Sequence, residues 1–246
     1  MPMYGYRARI GYTSPPINTE VFPYEFYKMA PPGVTLVLTT MMVARHTVES
    51  GEAQESWNHA MRAVREFARA GVNIIVLGGG PVVYSGGVKQ AEDTMAALTK
   101  ELGIPVTDSS TAYREAARAL GTKIAGSIGY ASPPGAADHL PSGGRMDPDG
   151  IRTVGNKYGS IPFVEVGKVP SEVPLEMARE LKREHPEIDT IRLGSPHWAC
   201  GAIIDQVEKE LGVNVIQGSQ AILWWALRSL GIKDRIEGYG RLLREL

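Results

Sequence analysis

The chain has 246 residues, with 26 Lys and Arg against 27 Asp and Glu and a formal net charge of −1. A balance this close to neutral builds no large field and argues against nucleic acid and anionic membrane as partners. The one cysteine, Cys200, excludes an intrachain disulfide and suggests no metal cluster. No apolar run reaches the roughly 18 residues of a membrane span, and the first residues lack the order of a secretion signal, so a cytoplasmic protein is the expectation.

In chain order, residues 7–13 read as a first strand, stopped by Ser14-Pro15-Pro16. Asn18-Thr19-Glu20 caps a short helix over 20–28. Residues 34–39 are β-branched and read as a second strand. A loop over 40–51, long enough to edge a site, precedes an amphipathic helix over 52–70, with Trp57, Met61, Val64 and Phe67 on one face. A third strand over 72–77 breaks at Gly78-Gly79-Gly80-Pro81. A helix over 88–102, a short strand over 104–106 and a helix from Asp108 or Ser109 to Leu120 follow. Residues 123–130 read as a new strand, and 131–150 as a Pro- and Gly-rich loop. Strands are predicted near 151–154 and 161–166, then a helix from Ser171 to His185 stopped by Pro186. A strand over 188–193 breaks at Gly194-Ser195-Pro196-His197 and leads to a helix ending at 211. A strand over 213–215, a helix from Ser219 to Leu230 and a tail helix over 233–245 complete the chain. Lys233, Arg235, Arg241 and Arg244 alternate with acids and read as a solvated face. Alternating strands and helices predict an α/β fold with parallel, Rossmann-like sheets.

The sequence repeats itself. Ile10-Gly11-Tyr12-Thr13-Ser14-Pro15-Pro16 returns as Ile128-Gly129-Tyr130-Ala131-Ser132-Pro133-Pro134, identical at six of seven positions. Leu77-Gly78 returns as Leu193-Gly194, and Glu101-Leu102-Gly103-Ile104-Pro105-Val106 as Glu210-Leu211-Gly212-Val213-Asn214-Val215. Ser110-Thr111-Ala112 then matches Ser219-Gln220-Ala221 in the same order. Two pseudo-twofold-related halves are predicted, over 1–109 and 110–218, with helices 219–246 packing back on the first. Ligands of open parallel sheets sit beyond the carboxyl ends of the strands. Two such sheets can share one cleft, bringing Ser14, Gly78–Pro81, Tyr130 and Gly194–His197 together. A strand that breaks at glycine and enters a helix aims backbone N–H groups at one spot, which suits a carboxylate.

These features resemble the aspartate/glutamate racemase superfamily, and within it the arylmalonate decarboxylase and maleate isomerase group. Ser14-x-x-x-Asn18-Thr19 is similar to the Ser-x-x-Asn-Thr segment of maleate isomerases. Tyr130 stands where the family places a tyrosine that holds substrate carboxylate. The segments Glu208 to Val215, Ser219-x-Ala221 to Trp225 and Arg228, and Gly238-Tyr239-Gly240-Arg241-Leu242 resemble the family's C-terminal half. Leu193-Gly194-Ser195-Pro196-His197-Trp198 resembles the Gly-Cys-Thr-His-Tyr run of glutamate racemases. The resemblance puts the two family cysteines at Gly79 and Ser195, so neither thiol is present. Cys200 falls beyond the second position, in the following helix, where it packs rather than reacts.

Without a thiol on each face, two-base racemisation and covalent isomerisation lose their reactive groups. Decarboxylation asks for less. One carboxylate sits in an apolar pocket, the other among donors that stabilise an enediolate, and an acid quenches the carbanion. The expected donors are the N–H groups around Gly79, Gly80, Ser195 and His197, with the Tyr130 hydroxyl. Ser195, His197 and Tyr130 are the candidate catalytic residues, with His197 as proton donor because its ordinary pKa lies near about 6.5. Ser14, Asn18, Gly79, Gly80, Pro81 and Pro196 are the candidate substrate contacts. Ser195 and Asn18 also read as helix caps, His197 as a residue bonded to a neighbouring carbonyl. His46, in the 40–51 loop, reads as an exposed loop residue; His59, His139 and His185 carry no motif. Trp224 and Trp225, on a helix face, read as core or subunit contact rather than ligand stackers. The expected function is a cofactor-independent decarboxylase of a malonate-like dicarboxylic acid. The alternatives are an isomerase or racemase using His197, or a non-catalytic dicarboxylate-binding protein. The expected partner is a small carboxylic acid, with no metal or cofactor, and homo-oligomerisation is left open.

Overall fold

The computed structural model describes residues 4–14, 18–40, 50–84, 86–130 and 150–246. Two four-stranded, all-parallel sheets form its centre. The first contains β1 (Ala8–Ser14), β2 (Val34–Thr40), β3 (Ile74–Leu77) and β4 (Val106–Asp108), in the order β2-β1-β3-β4. The second contains β5 (Ile124–Gly129), β6 (Arg152–Tyr158), β7 (Thr190–Leu193) and β8 (Asn214–Gln217), in the order β6-β5-β7-β8. The identical orders are the structural form of the repeat. In each, the chain turns opposite ways from the two central strands, and a crevice opens beyond their carboxyl ends. The β1/β3 crevice is edged by Ser14 and Gly78, the β5/β7 crevice by Tyr130 and Gly194.

The helices are α1 (Val21–Met29), α2 (Ser50–Arg69), α3 (Gly80–Val83), α4 (Val88–Leu102), α5 (Ser109–Leu120), α6 (Glu172–Glu184), α7 (Ile204–Leu211), α8 (Gly218–Ser229) and α9 (Gly240–Glu245). The core of α1, α5 and β1 also contains Ile222, Leu223 and Leu227 of α8 and Leu242 and Leu243 of α9. A second core joins β5, β7, α6 and α7, and a third joins α2, α4 and β3. Trp224 belongs to the first core and Trp225 packs against it, as their helical spacing suggests.

Four local expectations need correction. Residues 163–168 are a 3₁₀ helix rather than a strand over 161–166. The alternating apolar pattern there is real, but Pro162 has no N–H to continue a ladder and fixes the φ at −58° for a helical start. The short strand expected at 104–106 lies at Val106–Asp108, because Pro105 cannot donate. The tail helix shrinks to Gly240–Glu245, since Gly238 and Gly240 both take positive φ. The N–H groups of Gly240 and Arg241 go instead to Asp205 and Glu208. Asn18 does not cap α1 with its side chain; Glu20 is the cap residue, and the Asn18 carbonyl accepts from the N–H of Val21.

Asp108 does cap α5. Its Oδ1 accepts from the N–H of Ser110 at 2.8 Å and of Thr111 at 3.2 Å, and its Oδ2 from the Thr111 hydroxyl at 2.8 Å. The buried Tyr84 hydroxyl also donates to Oδ1, at 2.8 Å. Asp108→Ala therefore removes a cap and one hydrogen bond of a buried phenol. The expected loss is about 2 kcal/mol, read as a melting temperature lower by roughly 4–8 °C. Asp108→Asn, which keeps the acceptor, should lose less than half of that.

Candidate active site

The first strand-end turn is built on Gly78. Its N–H donates to the Thr13 carbonyl at 3.1 Å and the Thr13 hydroxyl at 3.0 Å, which ties β3 to β1. Gly79 follows at φ 70° and ψ 52°, a left-handed conformation that reverses the chain into α3. Its carbonyl accepts from the N–H groups of Val82 and Val83, and Pro81 stands in the first turn of α3, where its missing N–H costs nothing. The N–H groups of Gly79 and Gly80 make no hydrogen bond among the described residues. Ser14, the last residue of β1, is buried beside this turn.

The second turn follows β7. The Gly194 N–H donates to the Ile128 carbonyl at 2.9 Å. The Ser195 hydroxyl accepts from the His197 N–H at 3.1 Å, and its carbonyl from the Trp198 N–H at 3.0 Å. The His197 N–H, one of the expected oxyanion donors, is thus engaged in a local turn by a serine hydroxyl two residues earlier. Pro196 packs on the start of α8, where Gly218 leaves room for it, and its carbonyl accepts from the Ser219 hydroxyl at 3.2 Å.

His197 is 3 % exposed. Its Nδ1 lies 3.1 Å from the carbonyl oxygen of Asn18, and its Nε2 is buried with no hydrogen-bond partner among the described residues. A carbonyl accepts only, so Nδ1 carries a proton and Nε2 is the free site. Burial pushes the imidazole below its ordinary pKa, partly offset by the Asn18 carbonyl and by Glu20. Asn18 takes φ 54°, the one described non-glycine residue in that region, and its side-chain amide donates to the Phe163 carbonyl. Phe163 packs edge-on to His197, with centroids 6.0 Å apart, and stacks on Tyr130 at 5.6 Å. Trp198 meets Tyr130 edge-on at 6.2 Å. Burial raises the Tyr130 phenol, which therefore stays neutral.

The structure thus brings Asn18, Tyr130, Ser195 and His197 into one cluster spanning both halves. Gly79, Gly80 and Pro81 belong to the other turn, at the end of β3, and none of the contacts that build the cluster involves them. Three residues that the sequence reading missed complete the surroundings. Phe163 is the aromatic wall just described. Glu25 sits among Val21, Phe22, Phe26 and Met29 on the buried face of α1, accepts from the Gly201 N–H at 2.6 Å, and is held above its ordinary pKa by burial. An acid within an apolar stripe was the available signal. Tyr113 donates to the Gly194 carbonyl. Cys200 is buried, just ahead of a 3₁₀ turn over Gly201–Ile203 rather than inside a helix. Burial, with the Glu25 carboxyl beside it, pushes its thiol well above its ordinary pKa. His46, His139 and most of the 40–51 loop lie outside the described residues. Among the described residues no group of three His, Cys, Asp or Glu could hold a metal ion, and no helix is long and apolar enough to cross a membrane.

Comparison with known proteins agrees with this architecture. A liganded double mutant of arylmalonate decarboxylase, glycine to cysteine and cysteine to serine, superposes with a TM-score of 0.83 at 22 % identity, over 97 % of this chain and all of that one (100 %). The Nocardia farcinica maleate cis-trans isomerase bound to Tris gives 0.80 at 23 % identity, covering 97 % and 98 %. The maleate isomerase Iso of Pseudomonas putida S16 gives 0.81 at 18 % identity, covering 97 % and 98 %. No curated protein sequence matches the chain. A sequence model described as arylmalonate decarboxylase matches residues 10–243, so the chain belongs to the arylmalonate decarboxylase family.

Proposed function

We infer that the protein is a cofactor-independent decarboxylase of a malonate-like dicarboxylic acid, with His197 as the proton donor. The observation that carries this reading is the state of His197. Its Nδ1 is fixed by the Asn18 carbonyl, its Nε2 is buried and unbonded among the described residues, and its ring lies edge-on to Phe163. One carboxylate departs as CO₂ from the apolar side made by Tyr130, Phe163 and Trp198, where desolvation favours its loss. The electron pair of the broken carbon–carbon bond passes into the remaining carboxylate as an enediolate. The N–H groups of Gly79, Gly80 and Ser195 and the Tyr130 hydroxyl are the donors assigned to it. Nε2–H then protonates the α-carbon, and the imidazole is reprotonated from solvent. The free imidazole is neutral near pH 7, but an arriving dianion favours its cationic form. Substrate binding therefore draws a proton from solution onto the imidazole.

The thiol route has less support. The Nocardia isomerase is known with a covalent succinylcysteine intermediate. Here Ser195 stands at the family position, and the Cys200 thiol is buried and protonated. One observation does favour a second reading, an isomerase or racemase: a neutral imidazole with an open Nε2 is a base. Incubation with substituted malonates separates the readings. CO₂ release at a rate proportional to enzyme supports the decarboxylase. Exchange of an α-proton in D₂O without CO₂ supports the isomerase. Thermal stabilisation by a dicarboxylate with neither reaction leaves a binding protein.

A further inference from the structure

We propose that Tyr113 is a positioning residue: by holding the Gly194 carbonyl, it aims the Ser195 N–H at the oxygen on which negative charge develops. The inference rests on the carbanion chemistry inferred above. Tyr113 lies on α5, which leaves the first sheet, yet its hydroxyl reaches the second. It donates to the Gly194 carbonyl at 2.5 Å and lies 3.4 Å from that of Leu193. Burial, with Cys200 and Tyr12 nearby, raises the phenol, so it remains a neutral donor.

A peptide unit is planar, and in the trans form its C=O and N–H point opposite ways. The described residues contain no cis peptide bond. Fixing the Gly194 carbonyl toward Tyr113 therefore fixes the Ser195 N–H in the opposite direction. Gly194 is a glycine, and without an anchor its peptide plane has wide rotational freedom. The other donors of this turn are engaged or missing. The Gly194 N–H serves Ile128, the His197 N–H serves Ser195, and Pro196 has none. The Ser195 N–H makes no hydrogen bond among the described residues. The repeat adds an independent observation. In the matched helices, Tyr113 is replaced by Ile222, a fully buried core residue. The two copies thus differ at the position from which α5 reaches the Gly194 turn.

Tyr113→Phe keeps the ring and deletes only the hydroxyl. On a substituted malonate, kcat should fall about 10- to 100-fold with KM within about threefold, somewhat less than the loss of a direct oxyanion donor. A second readout is the ratio of two dissociation constants, for succinate and for the nitronate of phenylnitromethane, a planar enediolate mimic. Wild type should prefer the nitronate, and the variant should lose that preference by about the same factor as kcat. Both ligands bind only folded protein, so the ratio does not depend on how much of the variant is folded. Unchanged kcat and an unchanged ratio overturn the assignment, as does a wild type with no nitronate preference. If wild type releases no CO₂ but the nitronate preference is present and is lost in Tyr113→Phe, the decarboxylase reading fails and the positioning role stands. If CO₂ is released equally by both proteins, the reading stands and the positioning role fails.

Discussion

His197→Ala should lower kcat on a substituted malonate by about 10²- to 10⁴-fold, the range for loss of a positioned acid or base. The substitution also removes the hydrogen bond to the Asn18 carbonyl, so a fall in stability alone could mimic part of the effect. His197→Asn separates the two, because its Nδ2 stands where the imidazole Nδ1 stood. Its amide can still donate to the Asn18 carbonyl, but it cannot deliver a proton. It should be as inactive as the alanine variant while melting closer to wild type. The pH profile adds the sign. Burial holds the free-enzyme pKa of His197 below its ordinary value. A proton donor must be charged, so kcat/KM should fall as pH rises through that lowered pKa. The bound dianion raises it, so kcat should hold to higher pH before falling. A proton-abstracting His197 gives the reverse: kcat/KM rises through the same pKa and then levels off. Proton uptake from a weakly buffered solution on dicarboxylate binding is a direct check, and its absence argues against the donor. Wild-type turnover in His197→Ala would remove the residue from the mechanism.

The fold was legible in the sequence because its signals are local and repeated. The central strands β1, β3, β5 and β7 are short runs that end at glycine or proline, and the returning Ile-Gly-Tyr and Leu-Gly pieces mark the same places in both sheets. Errors arose where an apolar pattern lacked a partner or a donor, as at Ile161-Pro162-Phe163. The site was legible in part. The residues at the strand ends are found from their spacing, and four of them meet across the two halves. What they bond to is not local. Asn18 and His197 are far apart in the chain, and nothing in either segment specifies that a left-handed Asn18 carbonyl meets an imidazole. Tyr113 shows the same limit. It lies within a helix pattern and shows its distinct role only when the repeat is read for differences rather than matches.

Alanine scanning of the first turn should give a steep order, with Gly78→Ala much the worst. A Cβ at Gly78 would lie 2.3 Å from the Thr13 carbonyl oxygen and 2.5 Å from the Tyr12 hydroxyl. The first of these is backbone in β1, and it accepts the Gly78 N–H that ties β3 to β1. The ring of Tyr12 is fully buried and stacked on Phe22 at 3.9 Å, so the second cannot swing aside cheaply. Relief requires the two central strands to part, at about 3 kcal/mol or a melting temperature lower by roughly 6–12 °C. Gly79→Ala meets a different obstacle. At φ 70° an L-residue costs about 1–2 kcal/mol. Among the described residues nothing lies within 4 Å of where a Cβ at Gly80 would stand, and Gly80 starts α3, so Gly80→Ala should be neutral or more stable by up to about 1 kcal/mol. Thermal unfolding of the three variants tests the order. Equal losses would mean that the turn is held by something other than close backbone approach at Gly78. The order also bears on the chemistry. Gly78 is fixed by packing, whereas Gly79 and Gly80 keep N–H groups outside the internal network. Gly80→Ala should therefore leave the fold intact yet change KM for a dicarboxylate, if that turn grips a carboxylate.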